Sequence, residues 1–505
     1  MKTTYTINRV SPTCCQVDNH LGLDVKLFAN ETVGIEQDAF DELFEFLDVH
    51  RAAQDITVAQ PDFFGLDAKV NRVVLTPDFH KGSGVPVGTV VDVSGFVIPK
   101  AIGNDICCGM RLLTTDLPFE KLEPYWDEIQ KSLRSIFFQG KRDIPMSPRQ
   151  REAVLRSGLP GLLEAIDDNA NNGIYRDYYD KVAQRSDLDS IHSNGGFLTK
   201  GIFGFDKFIQ SSGNIDGRDP QIGSVGGSNH FCEIQRIDDI YCGESARKLD
   251  VVRGNVAIMV HSGSVGLGHA VGGHFIDRAK EIYPKDVIHP KNDFYMLPMQ
   301  GQHEKEGAFY IDSMHNAANF AFANRLFIGM MATRAIKEAT GLGFSTKLVY
   351  DAPHNLVFSG SSQLHRKGAT PAEGPSTDSE WMGKPVLIPG SMGSSSYLLT
   401  GHGNVDALSS ACHGAGRALS RGAAAHVSNE QFDKETEHLR IVNPIDIHSP
   451  QMQMRKDIVE KLMARRKEEA PYAYKPITPV IESVVGSDIA RLVAKLMPLC
   501  TVKGW

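Results

Sequence analysis

Short segments that combine glycine with histidine, cysteine or aspartate recur along this chain from residue 77 almost to its last residue. Glycine permits a positive φ or a close approach of the backbone, so such segments are typical of tight loops that carry ligand side chains. No low-complexity linker separates them, and no domain boundary falls cleanly between them. We therefore predict an α+β fold with one large domain over 1–505, in which sheets and helices are mixed and insertions occur. The motif-bearing part is 77–505.

The overall composition is that of an ordinary soluble protein, with 41% hydrophobic and 23% charged residues among 505. The net charge of −8 argues against a protein coated in basic surface, such as a non-specific DNA binder. It leaves room for a local basic groove that contacts nucleic acid.

The cysteines and the apolar stretches indicate a cytoplasmic protein without a membrane segment. Adjacent pairs such as Cys14–Cys15 and Cys107–Cys108 suit reduced thiols better than a disulfide framework. The first residues contain no apolar core of a signal peptide. The most apolar long stretch, 317–335, carries Asn324 and Arg325, which favours a buried helix over a membrane span.

Hydrophobic periodicity and capping residues predict a set of helices at 38–49, 119–138, 148–166, 314–340, 451–467 and 488–497. Glycine-punctuated, strand-like sequence covers 72–113, and short strands and loops are expected over 346–430. The polar block 167–220 has no clear period, and we interpret it as an insertion or a lid.

Five segments concentrate potential ligands: 103–111, 226–233, 261–269, 350–355 and 412–417. Taken singly, each fits an ordinary loop or a buried polar residue. Together they offer nitrogen, oxygen and sulfur donors, which suit Mn²⁺, Fe²⁺, Co²⁺ or Zn²⁺ better than Mg²⁺. The sequence lacks the P-loop pattern, HEXXH and G-x-S-x-G, so these residues do not indicate a P-loop NTPase, a zincin or an α/β-hydrolase.

The order of these segments resembles the RtcB family of RNA-splicing ligases. The matching text is PDFHKGSGVPVG (77–88), GNDICCGMRLL (103–113), GGSNHFCEIQ (226–235), HSGSVGLGH (261–269), YDAPHN (350–355), LHRKGATPA (364–372), PVLIPGSMGSSSY (385–397), CHGAGRALSR (412–421) and the terminal Lys503-Gly504. The resemblance runs from about Pro77 to the end of the chain, and the combination of HGAGR, GSNHF and D-x-x-C-G is specific.

The resemblance implies a binuclear Mn²⁺ centre and a GTP-binding site. The implied metal ligands are Asp105, Cys108, His230, His261 and His354, with Cys108 as the bridging thiolate. His413 matches the histidine that becomes guanylylated. The implied nucleotide-binding positions are Asn229, His230, Phe231, Cys232, Glu233, His354, Asn355, Pro389, Gly390, Ser391, Met392, Ser396, His413, Gly414, Ala415, Gly416 and Lys503. Glu233 and Lys503 would face the guanine, and Asn229 would face the phosphate.

The implied reaction joins an RNA 3′-phosphate or 2′,3′-cyclic phosphate end to a 5′-hydroxyl end through a histidine–GMP intermediate. RNA is therefore the expected partner, an archease-like activator is a further one, and the chain is expected to be a monomer. Arg417 is assigned to the catalytic set, and Arg421 is a phosphate contact or a surface ion pair. Asp78 and His80 are near-site candidates.

One departure from the family pattern concerns the position after His-Ser-Gly-Ser, where relatives usually carry arginine and this chain has Val265. The loss of a fork-shaped cation there affects the expected handling of RNA ends more than nucleotidyl transfer. Two alternatives remain open at this stage. One is a metal-dependent phosphoesterase that acts on RNA ends without joining them, and the other is a non-catalytic RNA- or nucleotide-binding protein.

Overall fold

The fold is that of a computed structural model, which describes residues 5–65, 68–166, 172–210, 221–377, 380–447 and 449–504. The strands in these ranges are β1 (Tyr5–Ser11), β2 (Cys14–Asn19), β3 (Val25–Leu27), β4 (Lys69–Ser83), β5 (Val85–Ser94), β6 (Phe96–Val97), β7 (Gly109–Pro118), β8 (Phe231–Ile240), β9 (Asn255–Ser262), β10 (Leu297–Pro298), β11 (Thr346–Pro353), β12 (Asn355–Ser359), β13 (Gln363–Lys367), β14 (Ala369–Pro371), β15 (Pro385–Ile388), β16 (Ser396–Gly401), β17 (Ser410–Cys412), β18 (Arg440–Val442) and β19 (Ala490–Val502).

The helices in the same ranges are α1 (Gln37–Leu47), α2 (Val49–Ala59), α3 (Pro61–Phe64), α4 (Trp126–Phe138), α5 (Pro148–Ala165), α6 (Ile174–Tyr178), α7 (Lys181–Asp187), α8 (Asp206–Gln210), α9 (Gly243–Lys248), α10 (Val265–Ile282), α11 (Glu304–Thr340), α12 (Arg421–Ala425), α13 (Asn429–Thr436), α14 (Pro450–Gln453), α15 (Lys456–Lys467) and α16 (Ile477–Gly486). Short 3₁₀ helices occur at Pro99–Ile102, Phe119–Tyr125, Leu188–Ser190, His192–Gly195, Lys291–Asp293, Val405–Ala407 and Pro471–Ala473.

Two sheets contain most of the described strands. The first has the strand order β1-β2-β3-β4-β5-β13-β12, and the second has the order β11-β7-β9-β8-β19-β16-β15. β18 adds to the second sheet by pairing with β19 in parallel. Helices and sheets are therefore mixed along the chain, which confirms the predicted α+β fold class.

Helix α11 is the central helix, and most of its length is buried. Its buried amides hold the loops around it: Asn324 Nδ2 donates to the carbonyl oxygens of Ser224 at 3.0 Å and Gly263 at 3.1 Å. Asn319 Nδ2 donates to Leu155 O and Phe197 O. Because buried polar groups need such partners, the amides are compatible with an interior helix, as the sequence predicts for 317–335.

A buried ion-pair network on α11 joins three segments of the second sheet. Arg325 Nε donates to Asp351 Oδ1 at 2.9 Å, and its Nη1 donates to Cys107 O at 2.7 Å and Ser262 O at 3.0 Å. Arg111 Nη1 contacts the other Asp351 oxygen at 3.2 Å. Arg325 and Asp351 are fully buried, so their charges depend on each other and on these carbonyls.

The structure confirms most of the predicted helices. Residues 38–49, 148–166 and 314–340 correspond to α1, α5 and α11, although α11 begins ten residues earlier, at Glu304. The predicted 451–467 helix is divided between α14 and α15, and 119–138 is a 3₁₀ helix followed by α4.

The predicted helix at 488–497 is wrong, because these residues belong to strand β19 or to the turn before it. The chain leaves α16 through Ser487, and Asp488 adopts a positive φ of 53° that ends helical geometry. β19 then lies between β8 and β16 in the interior of the second sheet. A short apolar run that is buried by neighbouring strands has no period that separates it from a buried helix.

Part of the polar block 167–220 lies outside the described residues, namely 167–171 and 211–220. The remainder, 172–210, is attached to α11 by side-chain bonds. Asn316 Oδ1 accepts from Phe203 N, and the Asp312 carboxylate accepts from Lys200 N and Gly201 N. Its role as an insertion or a lid stays a prediction.

None of the helices in the described part of the chain combines the length and the hydropathy that crossing a membrane requires.

Substitution of Arg325 should destabilise the protein far more than substitution of a less buried arginine on the same helix. Arg325→Met leaves the carbonyls of Cys107 and Ser262 without their donor and weakens the pairing of Asp351, so the free energy of unfolding should fall by about 3–5 kcal/mol. Arg334→Met on the same helix removes a partly exposed pair with Glu338 and should cost less than about 1 kcal/mol. Urea denaturation of both variants measures the difference, and equal losses would contradict the assignment.

Candidate metal centre and nucleotide cavity

The antiparallel order β11-β7-β9-β8 brings four separate segments to one edge of the second sheet. Gly109 at the start of β7 pairs with Ser262 at the end of β9 and with Pro353 at the end of β11. Phe231 at the start of β8 pairs with His261. The residues that precede β7 and β8 therefore lie beside those that end β9 and β11.

Five predicted ligands meet at this edge in two groups that share one sulfur. Asp105, Cys108 and His230 form one group, and Cys108, His261 and His354 form the other, with the ligand atoms of each group within 4.8 Å of one another. Cys108 Sγ lies 3.2 Å from the Nε2 atoms of both His230 and His261. His230 Nε2 lies 2.7 Å from Asp105 Oδ2, and the Nε2 atoms of His261 and His354 are 3.2 Å apart.

Backbone carbonyls orient two of these imidazoles toward the cluster. His230 Nδ1 lies 3.0 Å from Val225 O, and His261 Nδ1 lies 3.2 Å from Asn229 O. Donation from each Nδ1 leaves the Nε2 lone pair directed at the shared sulfur, an arrangement typical of histidines that bind metal.

Burial keeps two of the imidazoles neutral, as ligands of a divalent cation must be, and keeps the Cys108 thiol protonated until a cation binds. Burial and neighbouring histidines hold the pKa values of His261 and His354 well below the usual range, so both imidazoles are neutral. Burial and the nearby Asp105 charge raise the pKa of the Cys108 thiol well above its usual value. A bound cation would offset the negative charge of the thiolate, so this donor set fits a metal ion.

His413 follows β17 and is held by a buried carboxylate of the first sheet. Its Nδ1 lies 2.6 Å from Asp78 Oδ2, and Thr76 Oγ1 donates to the other Asp78 oxygen at 2.5 Å. Burial acts to raise the pKa of Asp78, but the bond and charge of His413 hold it below the usual value. The carboxylate is therefore ionised and accepts a hydrogen bond from Nδ1–H of His413, which fixes the orientation of the ring.

Two glycines allow this pairing. Gly416 has a φ of 77°, and a Cβ there would lie 2.4 Å from Asp78 O. Gly88 has a φ of 83°, and a Cβ there would lie 2.9 Å from Asp78 Oδ1. Side chains at either position would push the carboxylate away from His413. The rings of His413 and His354 are 4.8 Å apart, so His413 borders the ligand cluster.

A cavity of about 240 Å³ joins the ligand cluster to His413. The predicted nucleotide-binding residues that line it are Asn229, Phe231, His354, Asn355, Pro389, Gly390, Ser391, Met392, His413, Gly414, Ala415, Gly416 and Lys503. Four others that the structure describes, His230, Cys232, Glu233 and Ser396, are not part of its lining. Cys232 packs into the hydrophobic core, because it points to the other face of β8.

Glu233 is a buried carboxyl on β8 near the cavity wall. Gln235 Nε2 donates to its Oε2 at 2.7 Å and to Ser396 Oγ at 3.1 Å. Burial raises the pKa of Glu233 to about 7, although the Gln235 bond and the Lys503 charge oppose the rise.

Arg417 and Arg421 both line the cavity, with different partners. Arg417 contacts Tyr474 Oη at 3.2 Å and the buried Glu469 carboxylate at 3.4 Å. Arg421 is more exposed and donates to Ser228 Oγ at 2.6 Å. Arg417 is therefore held within the wall, whereas Arg421 lies at the mouth.

Three cavity residues with polar side chains are not among the candidates that the sequence indicates: Lys367, Glu469 and Tyr474. Lys367 lies in LHRKGATPA (364–372), one of the segments that match the family, and this match could have identified it. Burial lowers the pKa of Lys367 to about 8. Glu469 and Tyr474 follow a charged helix and have no motif around them, so nothing in the sequence distinguished them.

Of the weaker candidates, Asp78 contacts His413 directly, and His80 lines the cavity. Burial lowers the pKa of His80 to about 4, and its Nδ1 lies 2.6 Å from Asp78 O. Val265 begins α10 with a φ of 49°, a conformation that β-branched residues rarely adopt.

The fold, together with the cluster of potential ligands at one end of β7, β8, β9 and β11, defines an α+β protein with a candidate metal centre.

A family model described as "tRNA-splicing ligase RtcB" matches residues 62–504. The chain is 32% identical over 462 residues to the tRNA-splicing ligase RtcB of Thermococcus kodakarensis, covering 85% of this chain and 87% of the relative. It is also 32% identical over 450 residues to the RNA-splicing ligase RtcB of Mycobacterium tuberculosis, covering 85% and 96%. The chain belongs to the RtcB family.

The raised pKa of Glu233 predicts a pH-dependent stability. Because the folded carboxyl keeps its proton up to about pH 7, the free energy of unfolding should fall as the pH rises from about 4.5 to 7, by up to about 3 kcal/mol. Glu233→Gln should remove this part of the pH dependence in urea denaturation at pH 5 and pH 8. The exposed Glu460→Gln serves as the control. A constant difference between Glu233→Gln and the unsubstituted protein at both pH values would contradict the prediction.

Proposed function

We propose that the chain is a GTP- and Mn²⁺-dependent RNA ligase that joins 3′-phosphate or 2′,3′-cyclic phosphate ends to 5′-hydroxyl ends through a His413–GMP intermediate. The observation that carries the proposal is the position of His413, whose ring lies 4.8 Å from that of His354 in the same cavity while its Nδ1 is held by Asp78. The names of the relatives, RNA- and tRNA-splicing ligases, support the same reaction class.

Two Mn²⁺ ions fit the two ligand groups that share Cys108. The mixed nitrogen, oxygen and sulfur donors favour Mn²⁺ over Mg²⁺, which prefers an all-oxygen shell. Metal ions at such a site offset charge on phosphoryl oxygens and orient the leaving group. The chain's contribution is to hold the five ligands at one sheet edge, with two imidazoles oriented by backbone carbonyls.

His413 is the proposed nucleophile. Its Nε2 would form a bond to the α-phosphorus of GTP while the bond from that phosphorus to the bridging oxygen breaks and pyrophosphate leaves. The Nδ1 proton remains in the hydrogen bond with Asp78, whose negative charge stabilises the imidazolium that forms. Asp78 is therefore a positioning residue that also offsets charge.

The remaining steps transfer GMP and then release it. An oxygen of the RNA 3′-phosphate would attack the phosphorus on His413, which restores the imidazole and gives an activated RNA end. A 5′-hydroxyl would then attack the 3′-phosphate, form the phosphodiester and expel GMP. Arg417 would contact phosphate from within the wall, while Arg421 and Lys503, which also line the cavity, would supply positive charge at other points.

Guanylate labelling tests the nucleophile. With Mn²⁺ and GTP labelled at the α-phosphate, the protein should acquire an acid-labile, base-stable label that His413→Ala abolishes. Asp78→Asn should slow labelling at least about a hundredfold, because an amide no longer fixes the proton on Nδ1 or offsets the imidazolium charge. His426→Ala, an exposed histidine nearby, should label normally. Persistent labelling of His413→Ala would show that another residue is the nucleophile.

Joining of defined RNA ends tests the overall reaction. An RNA with 3′-phosphate and 5′-hydroxyl ends should be joined with GTP and Mn²⁺, and should not be joined when ATP replaces GTP or Mn²⁺ is omitted. Removal or opening of terminal phosphates without joining would instead support a phosphoesterase, which the ligand cluster alone would permit.

A further inference from the structure

A second cavity, of about 550 Å³, lies between α4, α13, α15 and β18. None of its lining residues also lines the cavity that contains His413. Its floor contains three guanidinium groups, those of Arg134, Arg440 and Arg466, and we call this cavity the arginine pocket.

The three guanidinium groups have more donors than partners. Arg466 is only 7% exposed, and its Nε donates to Asn443 Oδ1 at 2.8 Å. Arg440 lies over the Trp126 ring at 4.5 Å. Among the described residues, Arg466 has no second hydrogen bond and the Arg440 side chain has none. Each guanidinium carries five N–H donors, so several remain for a ligand.

Arg134 completes the floor and is partly paired. Its Nε donates to Asn443 O at 3.2 Å, and its Nη1 lies 3.5 Å from Asp446. Burial and the neighbouring Arg134 charge lower the pKa of Arg466 to about 10, so it stays protonated at neutral pH. Three cations therefore face one carboxylate on the floor, and the charge there is positive.

The rim has the opposite character. Asp127, Asp433 and Glu437 are exposed at the edge of the pocket, with Lys131 as the exposed cation among the lining residues. An extended polyanion such as an RNA strand would have to lie against these rim carboxylates, whereas a small anion can contact the arginines of the floor without touching the rim. The geometry points to a small oxyanion rather than to nucleic acid.

We propose that the arginine pocket binds a small phosphate-class oxyanion, held by the spare donors of Arg134, Arg440 and Arg466. Planar guanidinium groups match the oxygens of a phosphate with pairs of charge-assisted hydrogen bonds. This proposal concerns a different cavity and does not depend on the proposed ligase activity.

Hydrogen bonds of Asn443 connect the arginine pocket to the cavity that contains His413, which we call the first cavity. That residue accepts from both Arg134 and Arg466, and its Nδ2 donates to Lys503 O at 3.1 Å. Lys503 N also donates to Val442 O at 3.0 Å. An anion bound to Arg134 or Arg466 would therefore contact side chains that donate to Asn443, and the Asn443 side chain in turn holds the backbone of Lys503.

Calorimetric titration of the full chain with sodium phosphate, without added metal, tests the proposal. Arg134→Gln and Arg440→Gln should each weaken phosphate binding at least about tenfold, because each removes charge-assisted bonds. Arg465→Gln, an exposed arginine of α15 that does not line the pocket, is the matched control and should bind as the unsubstituted protein does. Arg421→Gln, at the mouth of the cavity that contains His413, reports phosphate bound there instead. Thermal denaturation confirms that each variant folds; these two arginines are chosen because Arg466 is the most buried of the three.

Several outcomes would overturn the proposal. The first is that the protein does not bind phosphate. The second is that Arg421→Gln loses phosphate binding while the two pocket variants keep it, which would show that the anion binds in the first cavity. A parallel titration uses a single-stranded RNA without terminal phosphates. The pocket variants should leave RNA binding unchanged, and a loss confined to RNA would show that the pocket binds the nucleic-acid backbone instead.

Discussion

The site depends on one buried guanidinium. Arg325 contacts the backbone beside Cys108 and His261, and its carboxylate partner Asp351 lies three residues before His354. A charge with no exposed surface needs all of its partners in place, so its position fixes theirs. Three of the segments that carry ligands are thereby joined to α11, while the strand register of the second sheet sets their spacing.

The chemistry is divided between two sheets. The ligand cluster is built on the second sheet, whereas Asp78, which orients His413, comes from β4 of the first. His413 itself follows β17, and the close approach of Gly416 to the Asp78 backbone holds this loop against β4. The position of His413 relative to the ligands is therefore a property of how the sheets pack, not of any single loop.

The candidate ligand segments stand out in the sequence, because histidine, cysteine and aspartate are combined there with glycine, and the structure brings these residues together. It carries much less information about partners that are distant along the chain. The bond between Asp78 and His413 joins residues 335 positions apart, and Glu469 has no motif around it. β19 was misinterpreted as a helix, since burial by neighbouring strands gives an apolar run no distinctive period.

The position of β19 has a consequence for biosynthesis. This strand follows both of its neighbours along the chain, yet it separates β8 from β16 within the second sheet. Until residues 490–502 leave the ribosome, β8 and β16 each keep an unpaired edge and the two halves of the sheet stay apart. The nascent chain therefore exposes strand edges that chaperones can recognise until β19 has been made.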